Sequence, residues 1–124
     1  MKATDVIQKI IFDATIDGVT YKDNECVYEN DDDWSLTYEE LHYEDNDSWC
    51  IVEIGGNVYD AQFYGDDEEK GLRSVLGGHL CLMEKDTDGY YIHTDIWYTG
   101  CCFSNIRFVS TTGEVKRLKK FHQY

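Results

Sequence analysis

The stretch Trp49–Tyr64, with the sequence WCIVEIGGNVYDAQFY, constrains the fold more than any other part of the chain. It consists of two runs of alternating side chains joined by Gly55-Gly56. A two-residue Gly-Gly turn supplies the positive φ angles that tight hairpin turns require. The stretch therefore predicts a β-hairpin.

The register of this hairpin sorts its side chains onto two faces. The predicted core face carries Cys50, Val52, Ile54, Tyr59, Ala61 and Phe63. The other face is mixed, with Glu53, Asp60 and Gln62 beside Trp49, Ile51 and Val58. Antiparallel pairing brings the outer ends of the hairpin together, so the carboxylates before it are expected to lie near those after it. These are Glu44, Asp45, Asp47, Asp66, Asp67, Glu68 and Glu69.

Turn signals elsewhere predict three more hairpin features. Asp17-Gly18 separates predicted strands at Phe12–Ile16 and Val19–Lys22, and a strand at Glu25–Glu29 follows. The alternative for Phe12–Ile16 is the end of a preceding helix. A KDTDG turn divides the apolar runs of His79–Tyr98. The segment Thr111-Thr112-Gly113 separates Phe103–Ser110 from Glu114–Phe121.

Helical signals are fewer. Thr4 is a suitable N-cap for a short amphipathic helix over Asp5–Phe12, and Gly65–Gly78 has acids at its start and glycines at its end. Trp34–Tyr43 is ambiguous: its alternation favours a strand with a bulge, whereas the Thr37 to Glu40 spacing is typical of a capped short helix.

Together these elements predict a single acidic α+β domain over residues 1–124. We expect a twisted antiparallel sheet of about six to eight strands built from hairpins, with one or two short helices packed on it.

The net charge of −14 is concentrated in one half of the chain. Residues 1–69 hold 20 acidic and 3 basic residues, or −17, and residues 70–124 hold 5 and 8, or +3. Such an excess opposes binding to nucleic acid or anionic membranes and favours basic partners. The chain shows no signal-peptide pattern or long apolar run, and its five cysteines suit reduced thiols. We therefore expect a cytoplasmic protein.

Three patterns would support metal binding or catalysis. Glu84, Asp86, Asp88, Gly89 and Asp95 match part of a calcium-loop spacing, although a hairpin turn explains the same residues. A zinc site could use His79, Cys81, His93 and the Cys101-Cys102 pair. A nucleophile could be Cys81 or Cys102 with His93 and Asp95. Because none has the full spacing of its motif, the sequence predicts neither a cofactor nor an enzyme.

The acidic clusters lead to the main functional hypothesis: a non-enzymatic binding protein or inhibitor that occupies the nucleic-acid-binding surface of a basic partner. In composition the chain resembles nucleic-acid mimics, such as anti-restriction and anti-CRISPR proteins of phages or mobile elements, and acidic immunity proteins that neutralise nucleases. The predicted contact residues are Asp31, Asp32, Asp33, Glu44, Asp45, Asp47, Asp66, Asp67, Glu68 and Glu69, with Trp34, Tyr43 and Tyr64 as anchors. The main alternative is a small structural or accessory domain that is acidic for solubility, and the third is the metal-binding or catalytic domain at His79–Cys102.

Overall fold

Eight β-strands make up most of the chain that the computed structural model describes, which is residues 1–43, 45–64, 78–99 and 102–117. A single 3₁₀ turn at Glu39–His42 accompanies them. The strands are β1 (Ile7–Ile16), β2 (Val19–Val27), β3 (Cys50–Ile54), β4 (Asn57–Phe63), β5 (Gly78–Lys85), β6 (Tyr91–Tyr98), β7 (Phe103–Ser110) and β8 (Val115–Arg117).

Local turn chemistry produces the hairpins, as the sequence predicted. Asp17 and Gly18 both have positive φ, at 51° and 82°, and join β1 to β2. Gly55 and Gly56, at 59° and 85°, join β3 to β4. The register of this second hairpin places Cys50 opposite Ala61, which confirms the predicted division into two faces. Pairing of β5 with β6 and of β7 with β8 confirms the other two hairpins, the last one as far as Arg117.

The strands form two antiparallel sheets of four rather than one larger sheet. The first sheet has the order β2-β1-β7-β8 and the second sheet the order β3-β4-β5-β6. The predicted α+β fold is therefore wrong: the described residues contain no helix beyond the 3₁₀ turn. Each sheet has four strands, so the single sheet of six to eight strands is wrong as well.

The helix predicted over Asp5–Phe12 is wrong, because most of that segment belongs to β1. This strand pairs with β2 on one side and β7 on the other. Its β-branched isoleucines suit a strand with neighbours on both edges, and that pairing outweighs the weak helical periodicity.

The strand predicted over Trp34–Tyr43 is also wrong. This segment contributes one isolated bridge, between Thr37 and Val6, and then the 3₁₀ turn. The turn begins without a side-chain cap, so the expected capping role of Thr37 is not realised. The helix predicted over Gly65–Gly78 falls on residues 65–77, outside the described part, and Gly78 begins β5.

Aromatic side chains join the two sheets face to face. The rings of Phe12 and Phe103 from the first sheet lie 5.1 Å and 5.2 Å from Phe63 of the second. All three are buried, within a core cluster drawn from both sheets. Burying each such ring contributes roughly 1.5–3 kcal/mol. This core fixes one face of each sheet inside and leaves the other face outside.

Candidate binding site

The outer face of the second sheet carries the mixed set of side chains that the β3–β4 hairpin predicted. The register aligns Ile51, Asp60, Cys81 and Trp97 across the four strands. In β6, three residues lie opposite Leu82 alone, and this irregularity keeps His93, the partner of Met83, on the same face as Trp97. The four strands thus bring residues as far apart in sequence as Ile51 and Trp97 onto one face.

A groove of about 640 Å³ lies at one end of this face. Its size falls within the range of protein ligand sites, roughly 300–1,000 Å³. The residues that line it combine aromatic, amide and carboxylate side chains: Asp45, Asn46, Asp47, Trp49, Gln62, Tyr64, His79, Trp97 and Thr99.

The aromatic rings of the groove pack edge to face around Trp97. Its ring centroid lies 6.3 Å from Trp49, 6.2 Å from His79 and 5.5 Å from the neighbouring His93, at interplanar angles of 76–87°. Trp49 and Trp97 nevertheless remain 37% and 47% exposed. Each indole therefore has one side packed and another open to a ligand.

Beneath the rings, a closed hydrogen-bond network ties the segment before β3 to the end of β4. The buried Asn46 donates from Nδ2 to the Phe63 carbonyl at 2.7 Å and accepts from the Ser48 amide at 2.9 Å. Gln62 donates to the Asn46 carbonyl at 3.1 Å. Since satisfied buried amides are costly to displace, this network holds the flanking Asp45 and Asp47 in place.

Asp45 and Asp47 are exposed, as predicted, and both line the groove. Burial, and then the neighbouring carboxylate of Asp47, raise the pKa of Glu40 above its ordinary value. The carboxylates of Asp45 and Asp47 therefore make this rim of the groove negatively charged. Of the other acids predicted around the hairpin ends, Glu44, Asp66, Asp67, Glu68 and Glu69 lie outside the described residues, so their meeting stays a prediction.

The predicted acidic turn at Asp31, Asp32 and Asp33 is exposed and ordered by its own backbone. Asp31 Oδ1 accepts from the amides of Asp33 and Trp34 at 2.9 Å and 2.8 Å. Asn30 anchors the turn to β1 by donating to the Ile7 carbonyl at 3.0 Å. This turn and the groove are thus held by different contacts.

The three predicted aromatic anchors lie in different environments. Tyr43 is 57% exposed and suits a contact role. Trp34 is half-buried against the core, and Tyr64 is buried at 5%. The Tyr64 hydroxyl donates to Gln62 Oε1 and is hydrogen-bonded to His79 Nε2, so Tyr64 supports the groove rather than projecting from it.

Sequence reasoning missed Trp97 and did not single out Trp49, Asn46 or Gln62. Trp49 and Gln62 were placed correctly on the mixed face of the hairpin, and this was the available signal. The contribution of Trp97 depends on the order β3-β4-β5-β6, which short-range patterns do not encode.

The catalytic alternative has a different geometry from the one predicted. His93 Nε2 contacts Asp60 Oδ2 at 2.7 Å, which replaces Asp95 as the expected carboxylate partner. Cys81 is buried, and burial raises the pKa of its thiol, which disfavours the nucleophilic thiolate. Cys102 lies in the core cluster.

The metal alternatives also change. Asp86 Oδ1 accepts from the amides of Asp88 and Tyr90, so the calcium-loop pattern is a hairpin turn between β5 and β6. For zinc, Cys102 is buried in the core and Cys101 is outside the described residues. Among the residues placed by the structure, no group of three or more His, Cys, Asp or Glu side chains is arranged to hold a metal ion.

A thiol pair connects β2 to β3. The hydrogen bond between the side chains of Cys26 and Cys50 raises the pKa of the buried Cys26 and lowers that of the half-buried Cys50. Cys50 is therefore the more reactive of the two sulfurs.

Comparison with protein-family models, with curated proteins and with solved structures finds no match to this chain. Within the described ranges, no helix has the length and apolar character that crossing a membrane requires.

Proposed function

We propose that this protein is a non-enzymatic, cytoplasmic binding protein whose acidic surface occupies the nucleic-acid-binding surface of a basic partner. The observation that carries the proposal is a set of exposed carboxylates without a cationic partner in the described chain: Asp31, Asp32, Asp33, Asp45 and Asp47.

Several cations of the described chain are already engaged elsewhere, which supports the proposal. Lys9 pairs with Glu25 at 2.8 Å, and Arg107 pairs with Asp23 at 2.9 Å. The carboxylates in the proposed surface remain available to lysines and arginines of a partner. Steering by such a surface accelerates association and weakens steeply with salt.

Order in the acidic segments also supports the proposal. The Asp31 carboxylate is held by Asx-type bonds, and the Asn46 network holds the backbone that carries Asp45 and Asp47, so these segments lose less conformational freedom on binding than a mobile chain would. Fixed negative charges resemble a phosphate backbone more closely than a mobile acidic tail does.

The test is affinity capture from a cell lysate, with elution in rising salt and with duplex DNA or polyglutamate as competitor. We expect a basic nucleic-acid-binding protein to be retained and to be displaced by DNA at a lower charge concentration than by polyglutamate. Retention of proteins indifferent to DNA would contradict the proposal.

A matched pair of variants separates the proposed surface from the bulk charge. In the first, Asp31, Asp32, Asp33, Asp45 and Asp47 become Asn, and in the control Asp17, Glu29, Glu84, Asp88 and Asp95 become Asn or Gln. Both sets are exposed and remove five negative charges. We expect capture to be lost only in the first variant, and equal losses would show that total charge alone retains the partner.

A further inference from the structure

Two partly exposed indoles form part of the groove wall. Trp49 and Trp97 meet at 76° with 6.3 Å between their centroids, and both retain exposed surface. Aromatic faces carry negative quadrupole density that attracts cations within about 6 Å of the ring. Indole is the best of the natural side chains for this contact.

Among the described residues that line the groove, the acidic side chains are Asp45 and Asp47, and His79 is the ionisable base. Asp45 and Asp47 are exposed where they line it, and no lysine or arginine of the described chain does so. A neutral sugar would stack on the indoles and donate hydroxyl hydrogen bonds to the carboxylates, but it carries no charge to offset theirs. A nucleotide phosphate would be repelled by them. A cation benefits from both features.

We propose that this groove binds an arginine side chain presented by a basic protein segment. Arginine fits better than lysine because its guanidinium is planar, stacks on aromatic faces and donates two parallel hydrogen bonds to a carboxylate. The inference rests on the proposed function in taking the partner to be basic, and it adds where and how that partner is recognised.

The groove is preorganised for this ligand. Gln62 donates to the Asn46 carbonyl, and the Asn46 side chain bonds the Phe63 carbonyl and the Ser48 amide, so both side-chain amides are engaged within the protein. The two indoles and the Asp45 and Asp47 carboxylates line the groove together with His79 and Thr99. At about 640 Å³ the groove also accommodates the residues that flank the arginine in the partner's chain.

The test titrates the protein with three short peptides with blocked ends that differ only at one central residue: arginine, lysine or citrulline. Lysine keeps the charge without the plane, and citrulline keeps the plane without the charge. The readout is the ¹H–¹⁵N signal of each tryptophan indole. We expect the arginine peptide to shift the Trp49 and Trp97 signals but not that of Trp34, and to bind at least about fivefold tighter than either analogue.

Variants then locate the site. Trp49→Leu and Trp97→Leu should each weaken the arginine peptide by about fivefold or more, and Asp45→Asn with Asp47→Asn should do so most strongly at low salt. Tyr90→Leu is the matched control, since Tyr90 is 72% exposed but lies outside the groove. Equal binding of all three peptides to the unaltered protein, or unchanged binding in both tryptophan variants, would overturn the inference.

These outcomes are distinct from failure of the proposed function. If DNA-sensitive capture persists in the Trp49→Leu and Trp97→Leu variants while the peptides fail to discriminate, the arginine site is wrong and the acidic surface stands. If the arginine peptide binds the groove but capture is indifferent to DNA, nucleic-acid mimicry is wrong and arginine recognition stands.

Discussion

The outer face of the first sheet is charged and internally paired, whereas the outer face of the second sheet is aromatic and acidic. On the first, Arg107 contacts Asp13 and Asp23, Lys9 contacts Glu25, and Arg117 donates to Asn105. On the second, Trp49, Ile51 and Trp97 are exposed, and the ion pair described there joins His93 to Asp60. Two sheets that share one core thus differ in what they offer to other molecules.

This difference indicates which of the two faces is suited to binding a partner. A solvated face that needs only solubility can satisfy its own charges, as the first sheet does. Exposed indoles beside carboxylates without cationic partners in the described chain are the combination expected of an interface. The comparison therefore favours the second sheet as the binding side.

The largest expected effect is a loss of stability that distinguishes the inner face of the second sheet from its outer face. Phe63→Ala should lower the free energy of unfolding by about 3–5 kcal/mol, because it opens a cavity at the joint between the sheets. Trp97→Ala, on the outer face, should cost about 1 kcal/mol or less. Urea unfolding measures both, and similar losses would mean that Trp97 is a core residue and not a contact residue.

The paired character of the first sheet is tested by Arg107→Gln. The substitution leaves the buried Asp13 carboxylate without its cation, at 3.6 Å, and should cost about 1–2 kcal/mol. Lys22→Gln is the control, since it removes the same charge from an exposed residue without an ion pair in the described ranges. If Arg107→Gln lowers the free energy of unfolding no more than Lys22→Gln does, the ion pairs of Arg107 do not stabilise the first sheet.

Unrelieved repulsion beside the groove is tested by Glu40→Gln. Burial and the Asp47 carboxylate raise the pKa of Glu40 in the folded state above its ordinary value of 4.5. The wild type therefore loses stability as the pH rises from 4.5 to the higher pKa of the folded state. Near neutral pH the variant should therefore be more stable, by about 0.2–0.5 kcal/mol. The gain should vanish well below pH 4.5, where the carboxyl is protonated in both the folded and the unfolded state.

Thermal unfolding across this pH range measures the effect, with Glu53→Gln as a control that removes the same charge from an exposed site on β3. A gain that persists unchanged in acid, or that Glu53→Gln reproduces, would contradict the proposed repulsion at Glu40.

The smallest effect concerns the thiol pair that links the two sheets. Cys50 should react with iodoacetamide before Cys26 or Cys81, because its pKa is lowered and it is only half-buried. Cys26→Ala removes the hydrogen-bonding thiol and should slow the modification of Cys50 severalfold. Peptide mapping by mass spectrometry gives the order of modification, and equal rates at Cys26 and Cys50 would exclude the described hydrogen bond.

The hairpins could be predicted from the sequence because their determinants are local. Asp17-Gly18 and Gly55-Gly56 adopt the positive φ angles that their residue types favour, and the strand register follows from the turn. The two faces of Cys50–Phe63 could be derived for the same reason.

The division into two sheets could not be predicted, because it depends on pairing between distant segments. The first half of β1 was expected to be a helix, and its partner β7 follows it by almost ninety residues. The groove has the same origin: Trp49 immediately precedes β3 and Trp97 lies on β6, the two outer strands of the second sheet, so they meet only once four strands have assembled. The exposed acids at Asp31–Asp33 could be predicted, since consecutive aspartates cannot be buried without partners.

The most direct test of the account maps an arginine-rich peptide onto the protein by ¹H–¹⁵N chemical-shift changes. We expect shifts at the Trp49 and Trp97 indoles and in the segments around Asp31–Asp33 and Asp45–Asp47, with the outer face of the first sheet unchanged around Lys9 and Arg107. Shifts around Lys9 and Arg107 as large as those at the two indoles would contradict the claim that the Asp31–Asp33 turn and the outer face of the second sheet present the binding surface.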